Sequence, residues 1–155
     1  ELVKLDFDGY GFGARPVDKQ GRFLGEILKY TADLIPLDKI RFGLGIGTPE
    51  DIIRCVKLGW DIFDCVIPTR EARHGRLYYF KNQKSLKYET INIVNGRYRE
   101  DLAAINRNSK IKELRNNRKA YLHHLFKNNE PLGLRLATLN NLEFYMELMA
   151  KLRRH

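Results

Sequence analysis

Apolar and polar residues follow one pattern up to about residue 76 and a different pattern after it. In the first part, strand-like and helix-like stretches alternate, in the order strand 2–13, helix 22–34, strand 39–46, helix 49–58 and strand 61–67. Strands separated by helices of this length indicate parallel βα units, so residues 1–76 are predicted to be α/β. Three such units are too few to close a barrel by themselves.

The two predicted helices carry distinct sequence signals. In the first, the apolar residues near one face are Phe23, Leu24, Ile27, Leu28 and Leu34. The second has Thr48 as its N-cap and Pro49 at its first position, followed by two acids. Its predicted core residues are Ile52, Ile53 and Val56.

Glycines occupy alternate positions where the second strand runs into the second helix, at Gly43, Gly45 and Gly47. Glycine-rich turns of this kind can cradle a phosphate with backbone amides. The spacing matches neither the dinucleotide motif nor the P-loop, so a tight strand–helix turn explains the glycines equally well.

From residue 77 onward we predict a small α+β subdomain. Strand-like stretches at 77–80 and 89–94 indicate a hairpin, 99–115 is irregular, and 116–127 is helical. A last helix is predicted to start near Asn140 as N-cap and to bury Leu142, Tyr145, Leu148, Met149 and Leu152. His123 and His124 are adjacent on a helix and point in different directions, so structural roles are favoured over metal binding.

Charge is concentrated in one part of the chain. The net charge is +9, and residues 70–119 hold 14 Lys or Arg against five acids, which accounts for all of it. Four tyrosines lie in the same segment, at Tyr78, Tyr79, Tyr88 and Tyr98. A solvated basic face is one explanation, and a surface for nucleic-acid phosphates is the favoured one.

Composition also indicates in which cellular compartment the protein is expected. No apolar run approaches the roughly 18 residues of a membrane span, so no membrane association is expected. Cys55 and Cys65 have no ligand or disulfide spacing, which favours a reducing compartment and a cytoplasmic location. Because the chain begins at Glu1 without an initiator methionine, we expect it to be part of a longer protein.

The candidate site is a carboxylate in an apolar run. Asp64 lies within 61–67, and Pro68 ends that run. We expect a cationic loop after it, carrying Arg70, Arg73, His74 and Arg76. A carboxylate at a strand end beside cations suits an anionic substrate. An ion pair of purely structural value with Arg70 or Arg73 is the alternative.

Three motifs, in this order, resemble the tRNA-guanine transglycosylases, which install queuine-type bases in tRNA. They are GIGTPED at 45–51, FDCVIPTR at 63–70 and AYLHHL at 120–125. The resemblance covers nearly the whole chain and only the C-terminal part of that family. It implies that 1–76 are the last βα units of a (β/α)₈ TIM barrel. It also implies that 77–155 correspond to the family's zinc-binding subdomain.

The resemblance further implies base exchange on tRNA through a covalent enzyme–RNA intermediate. Asp64 would be the nucleophile, and a 7-deazaguanine base would replace guanine. The cationic residues named above would contact RNA, and the nucleobase pocket would include Gly13, Ala14, Arg15 and Lys19. Two of these depart from the family pattern, with Ala14 in place of a glycine and Lys19 in place of a glutamate, which leaves the identity of the incoming base open.

The family's general acid belongs to its N-terminal part, so this chain alone is expected to be inactive. Family members often form homodimers, which makes a second copy an expected partner. A non-catalytic tRNA-binding paralogue and the same exchange on DNA are the alternative functions. Retention of Asp64 favours the enzyme.

The family's structural zinc is expected to be absent. Its four ligand positions are occupied by Ser109, Ile111, Leu114 and Asn140. These residues do not form a usual zinc site. We therefore predict no cofactor, with Ile111 and Leu114 turned inward and apolar packing in place of the metal.

Overall fold

A computed structural model describes residues 1–13, 15–82 and 84–153 of the chain. The chain forms two compact units, Glu1–Ile67 and Pro68–His155. The domain boundary predicted at residue 76 stays a prediction. Within the described ranges, no helix has both the length and the apolar character needed to cross a membrane.

The first unit is α/β with a parallel three-stranded sheet, as predicted. Its strands and helices are β1 Gly9–Phe12, α1 Gly25–Asp33, β2 Ile40–Leu44, α2 Pro49–Lys57 and β3 Ile62–Asp64. The strand order is β1-β2-β3, with Phe12 opposite Gly43 and Leu44 opposite Asp64. The carboxyl ends of all three strands therefore meet at one edge of the sheet. One prediction was wrong, because residues 2–5 form a 3₁₀ helix, Leu2–Leu5, and not part of a strand.

Local sequence chemistry explains how α2 begins. The Thr48 hydroxyl accepts a hydrogen bond from the Asp51 amide at 3.1 Å, and Pro49 occupies the first helical position. Both features were predicted from the sequence, because the cap and its partner lie within one helical turn. Ile52 is buried as expected, whereas Ile53 and Val56 are only partly buried.

The core of the first unit forms around Trp60, which is 1% exposed and donates from its indole nitrogen to the Leu28 carbonyl at 3.2 Å. Arg41 is also buried, and its guanidinium donates to the carbonyls of Ala32 at 3.1 Å and Ile35 at 2.8 Å. These bonds hold a cation at the carboxyl end of α1, where positive charge interacts favourably with the helix dipole. In α1, Leu28 is buried as predicted.

Two other residues of the predicted apolar face are largely exposed. Ile27 is 51% exposed and Leu34 is 57% exposed. The helical period places Ile27 and Leu28 side by side, but only Leu28 faces the core of this unit.

The second unit contains a β-hairpin and four helices. These elements are α3 Ile67–Arg73, β4 Arg76–Phe80, β5 Tyr88–Asn92, α4 Lys112–Asn116, α5 Lys119–Lys127 and α6 Pro131–Leu152. The antiparallel hairpin pairs Arg76 with Asn92 and Phe80 with Tyr88, which confirms the predicted hairpin. A 3₁₀ helix, Gly96–Tyr98, follows β5.

The predicted start of the last helix was wrong. Helix α6 begins nine residues earlier than expected, with Pro131 in its first turn, and Asn140 lies in its middle with no exposed surface. Leu142, predicted to be buried, is 42% exposed. Tyr145, Leu148 and Leu152 are buried, and Met149 is partly buried.

An apolar cluster forms the core of the second unit. Its buried members are Ala72, Leu77, Ile93, Tyr98, Ile105, Leu114, Leu122, Leu125, Leu136 and Ala137. On the other side of β4, Phe80 stacks on Phe144 with ring centroids 4.5 Å apart, and Tyr78 stacks on Phe144 at 5.4 Å. One face of the hairpin therefore packs against the apolar cluster, and the other packs against Phe144 of α6.

Candidate active site

Asp64 is the last residue of β3, at the edge where the parallel strands end. Its side chain is exposed, and its Oδ1 accepts a hydrogen bond from the Gly45 amide at 2.9 Å. Gly45 follows β2 with a φ of +69°, a left-handed conformation that glycine adopts without strain. Among the described residues, Oδ2 has no hydrogen-bond partner. One carboxylate oxygen is thus held by the backbone, and the other remains open.

Gly47 lies in close contact with the side chain of Cys65. A Cβ added to Gly47 would lie 2.2 Å from Cys65 Sγ and 2.3 Å from Cys65 Cβ, so no larger residue fits without a shift. The Gly45 amide is already donated to Asp64. The alternating glycines therefore form a tight turn around the end of β3, and the phosphate-cradle interpretation is not supported.

Cys55 is no alternative nucleophile in this unit. The residue is fully buried, and burial, together with the charge of Asp51, raises the pKa of its thiol to about 12. Only the thiolate is strongly nucleophilic, so Cys55 behaves as a small apolar core residue.

The residues predicted for a nucleobase pocket lie after β1. Gly13 directly follows β1, so it shares a sheet edge with Asp64. Gly13, Arg15 and Lys19 are all exposed, and Ala14 lies outside the described residues.

Asp18, which was not predicted as a site residue, organises the turn that carries Lys19. Its carboxylate accepts from the Gln20 amide at 2.9 Å and the Arg22 amide at 2.8 Å, and it pairs with Arg22 Nε at 2.7 Å. The backbone hydrogen bond from Arg22 is the main cause that lowers the pKa of Asp18. The spacing of Asp18 and Gly21, typical of a turn, was the available signal.

The predicted cationic loop is largely helical, so the prediction of a loop was wrong. Arg70 and Arg73 lie on α3, three residues apart and therefore on neighbouring positions of one face. His74 follows the helix, and Arg76 is the first residue of β4. Pro68 lies in the first turn of α3, where proline is tolerated, and does not end an element. All four cationic side chains are exposed.

Glu71 is a second residue that the sequence analysis missed. Its carboxylate lies 3.0 Å from an Arg76 guanidinium nitrogen and 3.7 Å from Arg70 Nε. Glu71 therefore restrains two of the four candidate RNA-contacting side chains. Exposed pairs of this kind contribute little stability, so positioning is the larger effect.

A comparison with known proteins identifies the family to which this chain belongs. Residues 1–155 match the family described as Queuine tRNA-ribosyltransferase. The chain belongs to this family. The resemblance found in the sequence motifs is therefore confirmed.

Individual relatives agree with this assignment. The queuine tRNA-ribosyltransferase of Rickettsia typhi is 42% identical over 153 residues, covering 99% of this chain and 40% of the relative. That of Thiobacillus denitrificans is also 42% identical over 153 residues, with the same coverage. That of Rickettsia massiliae is 39% identical over 155 residues. The chain spans about 40% of the length of these curated relatives.

The four positions predicted to correspond to the family's zinc ligands hold Ser109, Ile111, Leu114 and Asn140. Leu114 is fully buried in the apolar cluster, and Ile111 packs against it. The Ser109 hydroxyl donates to the Glu143 carboxylate and accepts from the Ile111 amide at 2.9 Å. Among the described residues, no three His, Cys, Asp or Glu side chains group as metal ligands would.

The fourth position, Asn140, is part of a hydrogen-bond network. Its amide nitrogen donates to the Tyr78 carbonyl at 3.1 Å, and its oxygen accepts from Asn106 Nδ2 at 3.1 Å. Two of the four positions, Ile111 and Leu114, thus have the inward, apolar packing that the sequence predicted. Purely apolar packing was the wrong expectation for Ser109 and Asn140, because both are polar and hydrogen-bonded.

The basic segment, residues 70–119, is exposed at nearly all of its Lys and Arg positions. Of its fourteen Lys and Arg side chains, all but Lys119 are exposed. The tyrosines of this segment do not accompany them on the surface, because Tyr78 and Tyr98 are 6% and 7% exposed. Tyr78 and Tyr98 are therefore core residues.

Proposed function

We propose that this chain supplies the nucleophile for base exchange on tRNA, in which guanine is replaced by a 7-deazaguanine base of the queuine type. Asp64 attacks the anomeric carbon of the target ribose, the bond to guanine breaks, and a covalent enzyme–RNA intermediate forms. The incoming base then displaces Asp64 and restores the carboxylate. The observation that carries the proposal is an exposed carboxylate at the carboxyl end of a parallel strand, with one oxygen anchored and one open.

The geometry suits this chemistry for two reasons. The transition state of glycosidic bond cleavage resembles an oxocarbenium ion, which an adjacent carboxylate stabilises and then traps. The Gly45 hydrogen bond fixes the carboxylate before the substrate arrives, and fixed groups in an active site need no reorganisation during the reaction.

RNA binding in this proposal uses the exposed cations of the second unit. Arg70, Arg73, His74 and Arg76 contact phosphates, and the guanidinium groups act as bidentate donors. The target base has to leave its stack to reach a carboxylate. The surrounding basic segment adds long-range attraction for tRNA.

The base pocket in this proposal includes Gly13, Ala14, Arg15 and Lys19. A glycine at 13 lets a planar base approach the backbone closely. A lysine at position 19 repels a cationic substituent on the base, so the identity of the incoming 7-deazaguanine stays open.

We further infer that the first unit contributes the last βα units of a (β/α)₈ barrel, and that the second unit is a zinc-free version of the family's subdomain. The general acid and the remaining base-recognition residues then come from the part of the family protein that this chain does not match. By this reasoning the chain alone is inactive. We place the enzyme in the cytoplasm, where tRNA is modified, and expect it to form homodimers.

The test is incorporation of labelled guanine into unmodified tRNA by the full-length protein. We expect Asp64→Asn to lower the rate by about 10³-fold or more, as removal of a nucleophile does. Asp8→Asn is the matched control, because Asp8 is an exposed aspartate of the same unit that precedes β1. Unchanged exchange by the Asp64 variant would refute the nucleophile. Absence of exchange by the wild-type protein, with tRNA still bound, would favour a non-catalytic tRNA-binding paralogue.

A further inference from the structure

A cationic pocket lies within the second unit, beside the residue that follows the 3₁₀ helix and along one side of α5. It is lined by Arg99, Ala120, His123, His124 and Lys127 and has a volume of about 430 Å³. That volume is within the range of roughly 300–1,000 Å³ found for ligand pockets. Each polar side chain of the lining is a cation or becomes one on protonation. None is acidic.

His123 gives the pocket a fixed, buried base. The side chain is only 6% exposed, and its Nδ1 lies 2.8 Å from the Ile93 carbonyl oxygen. A carbonyl only accepts, so Nδ1 carries the hydrogen and the orientation of the ring is set. Among the described residues, Nε2 has no hydrogen-bond partner. A polar atom of a buried ring is therefore left open in a pocket of cations.

The cations around it lack counter-charges. Arg99 and Lys127 are exposed, and neither forms an ion pair within the part of the chain that the structure describes. Lys119, by contrast, lies 3.8 Å from an Asp101 carboxylate oxygen. Like charges gathered without acids repel each other, and a bound anion relieves that repulsion.

We propose that this pocket binds the oxygens of a phosphate group, with the backbone of a bound RNA as the source. Arg99 and Lys127 supply the charge, and the small Ala120 side chain leaves room for the anion. The RNA part of this proposal rests on the proposed tRNA function, whereas phosphate recognition does not.

The first experiment uses inorganic phosphate and the full-length protein. Carbon–proton spectra of labelled histidine side chains are recorded as phosphate is added at constant ionic strength and pH. We expect saturable shifts of His123 and His124 that disappear in the double variant Arg99→Gln, Lys127→Gln. The control is the double variant Arg107→Gln, Lys112→Gln, which removes one exposed arginine and one exposed lysine outside the pocket and should keep the shifts.

The second experiment measures affinity for an unmodified tRNA transcript across a series of salt concentrations. The pocket variant should bind more weakly than the charge-matched control. Its slope of log affinity against log salt should be smaller by about 0.7–0.9 for each RNA phosphate that the variant no longer neutralises. Phosphate shifts with equal tRNA affinities for the two double variants would support a pocket for free phosphate and overturn the RNA source.

Absence of phosphate shifts in the wild-type protein would overturn the pocket itself. Persistent phosphate shifts in a protein that fails to bind tRNA would instead refute the proposed tRNA function and leave the pocket standing. The two failures are therefore distinguishable. Both substituted side chains of the pocket variant are exposed, so the variant is expected to fold.

Discussion

Asp64 and Asn141 are both polar residues, and the structure places their side chains in opposite environments. Asp64 is exposed, with one oxygen on a backbone amide and the other open. Asn141 has no exposed surface. Its oxygen accepts from the Tyr78 amide at 3.2 Å, and its nitrogen donates to the carbonyls of Pro68 at 3.0 Å and Arg76 at 2.9 Å.

The difference separates polar groups kept for chemistry from polar groups kept for structure. A buried amide with every polar atom bonded fixes one arrangement of helix and hairpin, and it has nothing left to offer a substrate. An exposed carboxylate with one anchored oxygen adds little stability and remains able to react. Substitutions that remove stability should therefore cluster around Asn141, and those that remove activity around Asp64.

The largest loss of stability is expected for Asn141→Leu. The substitution removes the side-chain hydrogen bonds of one backbone amide and two backbone carbonyls, and a buried group left without a partner costs roughly 1–3 kcal/mol. We expect the free energy of unfolding from urea denaturation to fall by about 3 kcal/mol or more. Leu142→Ala, next to it on the exposed side of α6, should change it by less than about 0.5 kcal/mol. Similar losses in the free energy of unfolding for the two variants would contradict a structural role of the buried Asn141 network.

A smaller loss is expected for Gly47→Ala, which tests the packing behind Asp64. The added Cβ overlaps Cys65 Sγ, and overpacking of this kind costs about 1–3 kcal/mol. Gly13→Ala adds a Cβ that meets nothing within 4 Å, so its stability should stay near that of the wild type. Equal thermal midpoints for the two variants would contradict the tight turn around β3.

No effect at all is expected from metal removal. Purified protein should contain no stoichiometric zinc by elemental analysis, and a chelator should leave the thermal midpoint unchanged. The combined variant Ser109→Cys, Ile111→Cys, Leu114→Cys, Asn140→His restores a Cys₃His set and should gain zinc if the four positions converge. One zinc per wild-type chain would overturn the proposed zinc-free subdomain.

The sequence predicted the features that depend on neighbouring residues. The parallel units follow from apolar runs and helical periods, and the Thr48 cap follows from a partner three residues away. Asp64 was found in the same way, as a carboxylate inside an apolar run. These signals are local, so one sequence is sufficient to detect them.

Features that depend on distant partners were missed. Asn140 resembles an N-cap in sequence although it lies in the middle of α6, and its bond to the distant Tyr78 carbonyl reveals the buried position only in the structure. Arg41 was not recognised as a core residue, because its partners are backbone carbonyls of α1 and of the residues that follow it. Pro68 suggested a stop because proline ends many elements, although it also fits a first helical turn.

The most direct test of the central claim is the mass of the denatured protein after incubation with an unmodified tRNA transcript and no added base. We predict that full-length protein gains the mass of the RNA less guanine, with peptide mapping placing the bond on Asp64. The adduct should vanish on addition of guanine and should not form in Asp64→Asn. An adduct that persists in this variant, or that maps to another residue, would contradict the role assigned to Asp64.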